Sequence, residues 1–380
     1  MRAYLFVLLV AAAVTYLVTP LVRRMARRIG AITPVRDRDV HSVPVPRLGG
    51  TAMLAGFAAA LVGASRMDFL RPIFDDGAPW GVLTAAAAVC LLGVADDLWS
   101  LDAVTKLAGQ ALAAGLMAWK GVQLVILPIG GVTLLSYGVL FVVTVIAVVV
   151  TINAVNFVDG LDGLAAGIVG IAGSAFFVYS YLLARSASQR DYSSLASMVT
   201  AATVGCCLGF LPHNFNPARV FMGDSGSMLL GLLLASSTIT ITGQVDPGTL
   251  TSYQIAPAFF PLLIPLAVLA LPLVDLGMAV IRRTWAGQKP WTPDKSHLHH
   301  RLLRLGHSHA SAVLVLYLWT AIAAFGVALM AFVPVLTALA AGAVAVVVAL
   351  FLTLGPLRGR DRPVPPRRVI GVGGTRGPRD

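Results

Sequence analysis

The sequence is short of charge. Of its 380 residues only 12% are Asp, Glu, Lys or Arg, about half the share of a soluble domain, while 57% are hydrophobic. That excludes a soluble enzyme or a free binding module and points to a polytopic membrane protein. Cysteine is scarce too. Cys90, Cys206 and Cys207 all lie within apolar runs, where a small hydrophobe is the plain reading, so neither a disulfide framework nor a zinc pattern follows. Acidic residues number 17 against 28 basic ones. The net charge of +11 would suit nucleic acid if the basic residues shared one soluble face. They collect instead in the gaps between apolar runs, where orientation and anionic lipid account for them, and no nucleic acid partner is expected. The first apolar run has no small-residue cleavage site and is followed directly by a basic cluster, so it reads as a retained helix and not as a signal peptide. No internal repeat is evident.

What is present is a series of apolar segments near the ~20 residues that span a bilayer. They fall at about 3 to 22, 48 to 65, 80 to 95, 103 to 119, 137 to 152, 163 to 184, 195 to 211, 226 to 242, 257 to 281, 310 to 331 and 335 to 354. The expected fold is an all-α polytopic membrane protein of about eleven transmembrane helices. The gap after the first helix holds Arg23, Arg24, Arg27, Arg28, Arg36, Arg38 and Arg47, and the tail holds seven more arginines. Both should be cytoplasmic, which puts the N-terminus outside and the C-terminus inside. This alternation leaves 22 of the 28 basic residues on the cytoplasmic side. It also puts every stretch rich in carboxylate, amide or histidine there: 33 to 50, 96 to 106, 153 to 162, 212 to 224 and 284 to 309. Among the external gaps, Gly121 to Thr133 reads as a small hairpin. Residues 1–354 form one integral membrane domain, and 355–380, rich in Pro, Gly and Arg, a disordered basic tail.

The polar stretches carry the chemistry, because amides and carboxylates at a membrane edge are costly unless paired, solvated or used. The apparent centre is Asn153 to Ala165, with Asn153, Asn156, Asp159, Asp162, Gly160 and Gly163 on one short edge. Asp162 could also cap the helix that begins at Leu164. Asp96-Asp97 ends the third helix and faces Lys106 and Gln110 of the fourth. Two adjacent carboxylates raise each other's pKa, which suits a base or a metal site; a solvated helix end is the plainer alternative. Asp224 stands where a helix starts, a place that favours phosphate and, beside it, Mg²⁺, although for Asp224 taken alone a capping aspartate is the stronger reading. His297, His299, His300 and Arg301 lack the Cys or Glu partners of a zinc site and suit a diphosphate better. Arg304, His307 and His309 could simply meet anionic lipid, and Asp275 could pair with Arg282.

In order along the chain, these stretches resemble the polyprenyl-phosphate N-acetylhexosamine-1-phosphate transferases, the superfamily that also holds phospho-N-acetylmuramoyl-pentapeptide transferase. The resemblance rests on His41-Ser42-Val43-Pro44-Val45-Pro46-Arg47-Leu48-Gly49-Gly50, Asp96-Asp97 with Lys106, Asn153 to Ala165, Phe221-Met222-Gly223-Asp224-Ser225-Gly226-Ser227 and His297-Leu298-His299-His300-Arg301-Leu302. It implies transfer of a sugar 1-phosphate from a UDP-sugar donor to a polyprenyl phosphate acceptor, with release of UMP and with Mg²⁺, or Mn²⁺ in its place, as cofactor. By motif position Asp224 would hold the metal. Asp96, Asp97 and Lys106 would handle the lipid phosphate, with Asp159 beside them. Asn156 and Asp162 would face the nucleotide, Phe221 would stack on uracil, and the His-His-Arg segment would meet the sugar phosphate, with His41 and Arg47 also binding substrate. The Leu-His-His-Arg-Leu ending is similar to the N-acetylglucosamine branch; another UDP-N-acetylhexosamine, including UDP-N-acetylmuramoyl-pentapeptide, is the alternative donor. Thr33 and Arg38-Asp39 depart from the family pattern. The site would lie on cytoplasmic loops of a multi-pass protein of the bacterial plasma membrane, a setting in which a homodimer is an option. The expected chemistry is direct attack of lipid phosphate on the β-phosphorus, a carboxylate of the Asp96-Asp97 pair keeping the nucleophile ionised. From another class, an ion-coupled transporter would instead place its carboxylates near the bilayer midplane.

Overall fold

A computed structural model describes residues 1–33, 44–125, 136–187, 193–242, 284–285, 302 and 306–354. Ten helices of membrane type run through them: α1 Arg2–Arg28, α2 Gly49–Ala64, α3 Ala78–Trp99, α4 Ala103–Trp119, α5 Tyr137–Val158, α6 Leu164–Ala187, α7 Leu195–Asn214, α8 Gly223–Thr242, α9 His309–Met330 and α10 Val335–Leu354. They correspond to ten of the eleven expected segments. The remaining one, 257 to 281, with Asp275 and Arg282, lies outside the described residues, as do 355–380 and most of the expected hairpin at 121 to 133. Eight of the helices are long and apolar enough to cross a membrane. The other two, α2 and α4, have 16 and 17 residues and rise only about 24–26 Å.

Several helices run further than the apolar pattern. α1 continues through Arg23, Arg24, Arg27 and Arg28, since arginine is a good helix former and a basic last turn complements the helix dipole. α5 includes Asn153 and Asn156, so the stretch expected as one polar loop is helix as far as Val158 and loop only over 159 to 163. A short antiparallel ribbon, β1 Ile32–Thr33 with β2 Val45–Pro46, pairs Ile32 with Pro46 and Thr33 with Val45. Arg47 N donates to the Ala31 carbonyl at 3.0 Å, which ties the start of α2 to the end of α1.

The bundle is built around α8, which is almost wholly buried and packs on α2, α3, α5 and α7. Its Ser236, Ser237 and Thr238 hydroxyls donate to the Leu233 and Leu234 carbonyls at 2.9–3.0 Å, so buried polar atoms find partners within the helix. Close approach is set by glycines at the contacts. A methyl group on Gly50 of α2 would sit 2.2 Å from the Gly226 amide nitrogen, one on Gly93 of α3 2.4 Å from Ser225 Cα, and one on Gly231 of α8 2.5 Å from Ile152 Cα of α5. Small residues at such contacts let membrane helices meet backbone to backbone. The C-terminal ends of α1, α3, α5 and α7 and the N-terminal ends of α2, α4, α6 and α8 therefore gather at one end of the bundle, with the polar residues among them.

Candidate active site

The α3–α4 corner fixes the first group. α3 ends at Ser100, in the left-handed region at φ 53°, with Ser100 N on the Asp96 carbonyl at 2.9 Å and Leu101 N on Asp96 Oδ1 at 2.8 Å. Asp102 caps α4 by accepting from Val104 N and Thr105 N at 2.9 and 3.0 Å. This turn points Lys106, one turn into α4, back at the end of α3. There it pairs with Asp96 Oδ2 and reaches Asp224 Oδ2 of α8 at 3.1 Å. One ammonium thus joins carboxylates from two other helices.

The two adjacent aspartates separate in role, as a 100° turn per residue requires. Asp97 is buried and accepts from Asp224 N at 3.1 Å and Ser225 N at 3.2 Å, while Arg47 approaches its Oδ1 at 3.8 Å. The start of α8 was expected to be open to phosphate, with Asp224 as the competing cap. Asp97, from a different helix, instead takes those amides. Gly223 makes this approach available: it sits at φ +68°, and a Cβ there would lie 2.3 Å from Asp97 Oδ2.

α5 and its following loop supply the next wall. Asn156 donates to Ser227 Oγ at 2.8 Å and hydrogen-bonds Asp224. Asn153 donates to Gln110 Oε1 of α4 at 2.6 Å. Asp159, half-buried beyond the end of α5, is pushed up from the usual carboxylate value to about 7. Burial is the main cause, the nearby charges of Asp224 and Asp97 add to it, and Arg47 opposes it. Asp162 is buried, and its Oδ2 accepts from Asn216 Nδ2 at 3.1 Å and Ala218 N at 2.9 Å. It is thereby a post for the loop that leads to Phe221. That loop is closed by Asn214, which accepts from Gly163 N at 3.1 Å and donates to the Val220 carbonyl at 3.0 Å. Phe221, partly buried, is gripped through its backbone, its N on the Pro46 carbonyl at 2.8 Å and its O on Gly49 N at 3.0 Å.

Of the residues expected at a site, Arg47, Asp96, Asp97, Lys106, Asn156, Asp159, Asp162, Phe221 and Asp224 all belong to this end of the bundle. His41, His297, His299, His300 and Arg301 lie outside the described residues. Three contributors were not singled out from sequence. Asn214 and Ser227 stand in stretches already marked as polar, whereas Tyr317 of α9, whose hydroxyl donates to the Gly163 carbonyl, sits in an apolar run with no local signal. Among the described residues no three His, Cys, Asp or Glu side chains converge as a metal cage.

Comparison with known proteins gives a family and relatives. The model of glycosyl transferase family 4 matches residues 79–242, which include α3, α4, α5 and α8 with their aspartates. The decaprenyl-phosphate N-acetylglucosaminephosphotransferase of Mycolicibacterium smegmatis is 44% identical over 370 residues, 95% of this chain and 91% of that protein. The protein of the same name from Mycobacterium tuberculosis is 42% identical over 369 residues, with 95% and 91% covered. The undecaprenyl-phosphate alpha-N-acetylglucosaminyl 1-phosphate transferase of Salmonella typhi is 32% identical over 121 residues, 31% of this chain and 28% of that one.

Proposed function

Because the chain belongs to glycosyl transferase family 4, we propose that it transfers N-acetylglucosamine 1-phosphate from UDP-N-acetylglucosamine to a polyprenyl phosphate. The products are polyprenyl-diphospho-N-acetylglucosamine and UMP, and the reaction is the first membrane step of a cell-envelope glycan. The relatives' names support the sugar. The observation that carries the chemistry is Lys106 joining Asp96 and Asp224 from three helices at the polar end of the bundle. By the distribution of basic residues that end faces the cytoplasm of a bacterial plasma membrane. A soluble anionic donor and a lipid-borne anionic acceptor can meet only at such an interface.

The donor set suits a hard divalent cation. Asp96, Asp97, Asp159 and Asp224 face only Lys106 and Arg47 as described counter-charges, and burial, with the like charge of Asp224 and Asp97 added to it, moves Asp159 towards its neutral form. Mg²⁺ takes one or two protein carboxylates and completes its shell with water and substrate phosphates, so a closed three-residue cage is not required. Asp224 would hold the ion, which when bound supplies neutralisation of diphosphate charge.

The chain's own residues do the rest. Phosphoryl transfer asks for positioning and charge neutralisation more than covalent help. Asp97 and Gly223 set the first turn of α8 so that Asp224 faces Lys106. Asp96 orients Lys106 towards the incoming lipid phosphate, and Asn156, braced by Ser227, lies against Asp224. A phosphate oxygen of the lipid forms the new bond to the β-phosphorus, the bond from that phosphorus to the bridging oxygen breaks, and UMP leaves. With Asp97 holding α8 and Asp96 holding Lys106, the base shifts from that pair to Asp159. Its pKa of about 7 suits it to accept a remaining phosphate proton near neutrality. Membranes bearing the protein, given UDP-N-acetylglucosamine, polyprenyl phosphate and Mg²⁺, should yield lipid-linked sugar and UMP. No product from any UDP-N-acetylhexosamine would end this reading. Exchange of labelled UMP into donor without lipid phosphate would replace direct attack by a two-step route.

A further inference from the structure

α1 and α7 pack against each other through small residues. A methyl on Gly205 would sit 2.3 Å from the Leu8 carbonyl oxygen, and one on Gly209 2.2 Å from that of Ala12, so the backbones touch along a Gly-x-x-x-Gly face. Carried to the polar end, this contact places Arg23 and Arg27 of α1 beside His213 of α7 and Arg219 of the loop that follows. His213 lies ring to ring with Tyr16 at 4.8 Å, and its Nε2 is 3.1 Å from the Tyr16 carbonyl oxygen. Arg27 and Arg219 are close enough to act on Arg23, and Arg219 and Arg23 on His213. Among the described residues none of these three arginines forms a salt bridge, and the buried Nε of Arg23 has no hydrogen-bond partner. Clustered guanidinium groups and an unpaired buried N–H are both relieved by an anion.

We infer that this basic cluster at the polar end of α1 and α7 is a binding site for the phosphate of an anionic phospholipid. Arg23, Arg27 and Arg219 hold the phosphodiester, and an acyl chain lies along α1. The lipid source follows from the stripe leading to the cluster. Leu9, Tyr16 and Arg23 are seven residues apart and share one side of α1, with Leu9 56% and Tyr16 49% exposed. Basic pockets between helices at a cytoplasmic face take anionic headgroups in this way. The site is also tied to the catalytic end. Arg219 N donates to the His213 carbonyl at 2.9 Å, and its neighbour Ala218 donates to Asp162, so a bound headgroup braces the loop that leads to Phe221.

The test is retention of lipid by the full-length protein, released from phosphatidylcholine nanodiscs carrying graded phosphatidylglycerol and weighed by native mass spectrometry. Wild type should keep phosphatidylglycerol, and Arg23→Gln and Arg27→Gln should each hold it about fivefold less tightly, the effect of one basic residue near the surface. Arg24→Gln, on the neighbouring stripe and with the same loss of charge, should leave retention unchanged. An equal loss in Arg24→Gln would overturn the site in favour of a diffuse field. Displacement of the lipid by excess inorganic phosphate would overturn its assignment to a lipid. If Arg23→Gln fails to fold, Arg27→Gln at the exposed end of α1 decides the matter alone.

Discussion

Replacing Asp159 by asparagine isolates the electrostatic stress at the site. In the protein without a divalent cation, the Asp159 carboxyl is held near 7 rather than at its usual value of 3.8, chiefly by burial and by Asp224 and Asp97. Between those two values the folded chain binds a proton that the unfolded chain has released. Stability therefore falls as pH rises through this window and levels off above 7. Three pK units correspond to a ceiling of ~4 kcal/mol; screening of a group that keeps some contact with solvent leaves ~1–2 kcal/mol. An asparagine at this position would carry none of this. In thermal unfolding of detergent-solubilised protein with chelator present, Asp159→Asn should exceed wild type only slightly at pH 5, early in that window, and by a few degrees at pH 8. Added Mg²⁺ should narrow the gap, because a dication relieves the same repulsion. Transfer activity should fall in the variant despite the higher melting point. A variant less stable than wild type at pH 8, or a difference independent of pH, would refute the reasoning.

Gly223→Ala drives a methyl into the Asp97 carboxylate and strains a positive φ. It should cost ~1–3 kcal/mol in stability and abolish transfer by turning Asp224 away, both readable on purified protein. Lys106→Gln leaves Asp96 and Asp224 without their shared counter-charge. Turnover should be lost and the melting point lowered by the equivalent of ~1–3 kcal/mol, with Mg²⁺ restoring stability more than it does in wild type. Asp162→Ala removes two hydrogen bonds to the loop at Asn216 and Ala218. Limited proteolysis between 214 and 222 should speed up, whereas Asp162→Asn, which keeps an acceptor for Ala218 N, should stay closer to wild type.

The helical scaffold was legible because apolar runs of membrane length leave little choice of structure. The ends of those runs were not. Hydropathy stops at Ile152 and at Leu211, yet α5 and α7 continue to Val158 and Asn214, because at the end of a buried bundle polar side chains find partners in neighbouring helices rather than in water. Asn153 does so with Gln110 and Asn156 with Ser227. The gathering of Asp96, Lys106 and Asp224 was anticipated from motif order. Which of Asp96 and Asp97 would meet Lys106, and that the other would cap α8, was not, since it depends on where α8 lies against α3. That depends in turn on Gly226, quoted within a motif but with no signal of a backbone contact, and on Gly93, which reads locally as any other glycine in an apolar run.

Those glycines carry the argument from fold to chemistry. Two backbones, at Gly50 of α2 and Gly93 of α3, each come within van der Waals distance of Ser225-Gly226 of α8. No side chain can be interposed there. A helix start packed against two other backbones must find acceptors for its amides, and a neighbouring helix can supply one. Asp97 is that acceptor. Once it is committed, its neighbour Asp96 points about 100° away, towards α4, where Lys106 meets it. Close packing of glycines thus requires one of the paired carboxylates as structure and releases the other for work. The same constraint makes Asp97→Asn and Asp96→Asn distinguishable. The first keeps one good acceptor but loses Arg47, and should show mainly as lowered stability with residual turnover. The second leaves α8 capped and Lys106 misdirected, and should lose turnover with the fold retained. Equal loss of activity at equal stability in both variants would mean that the two carboxylates share one task.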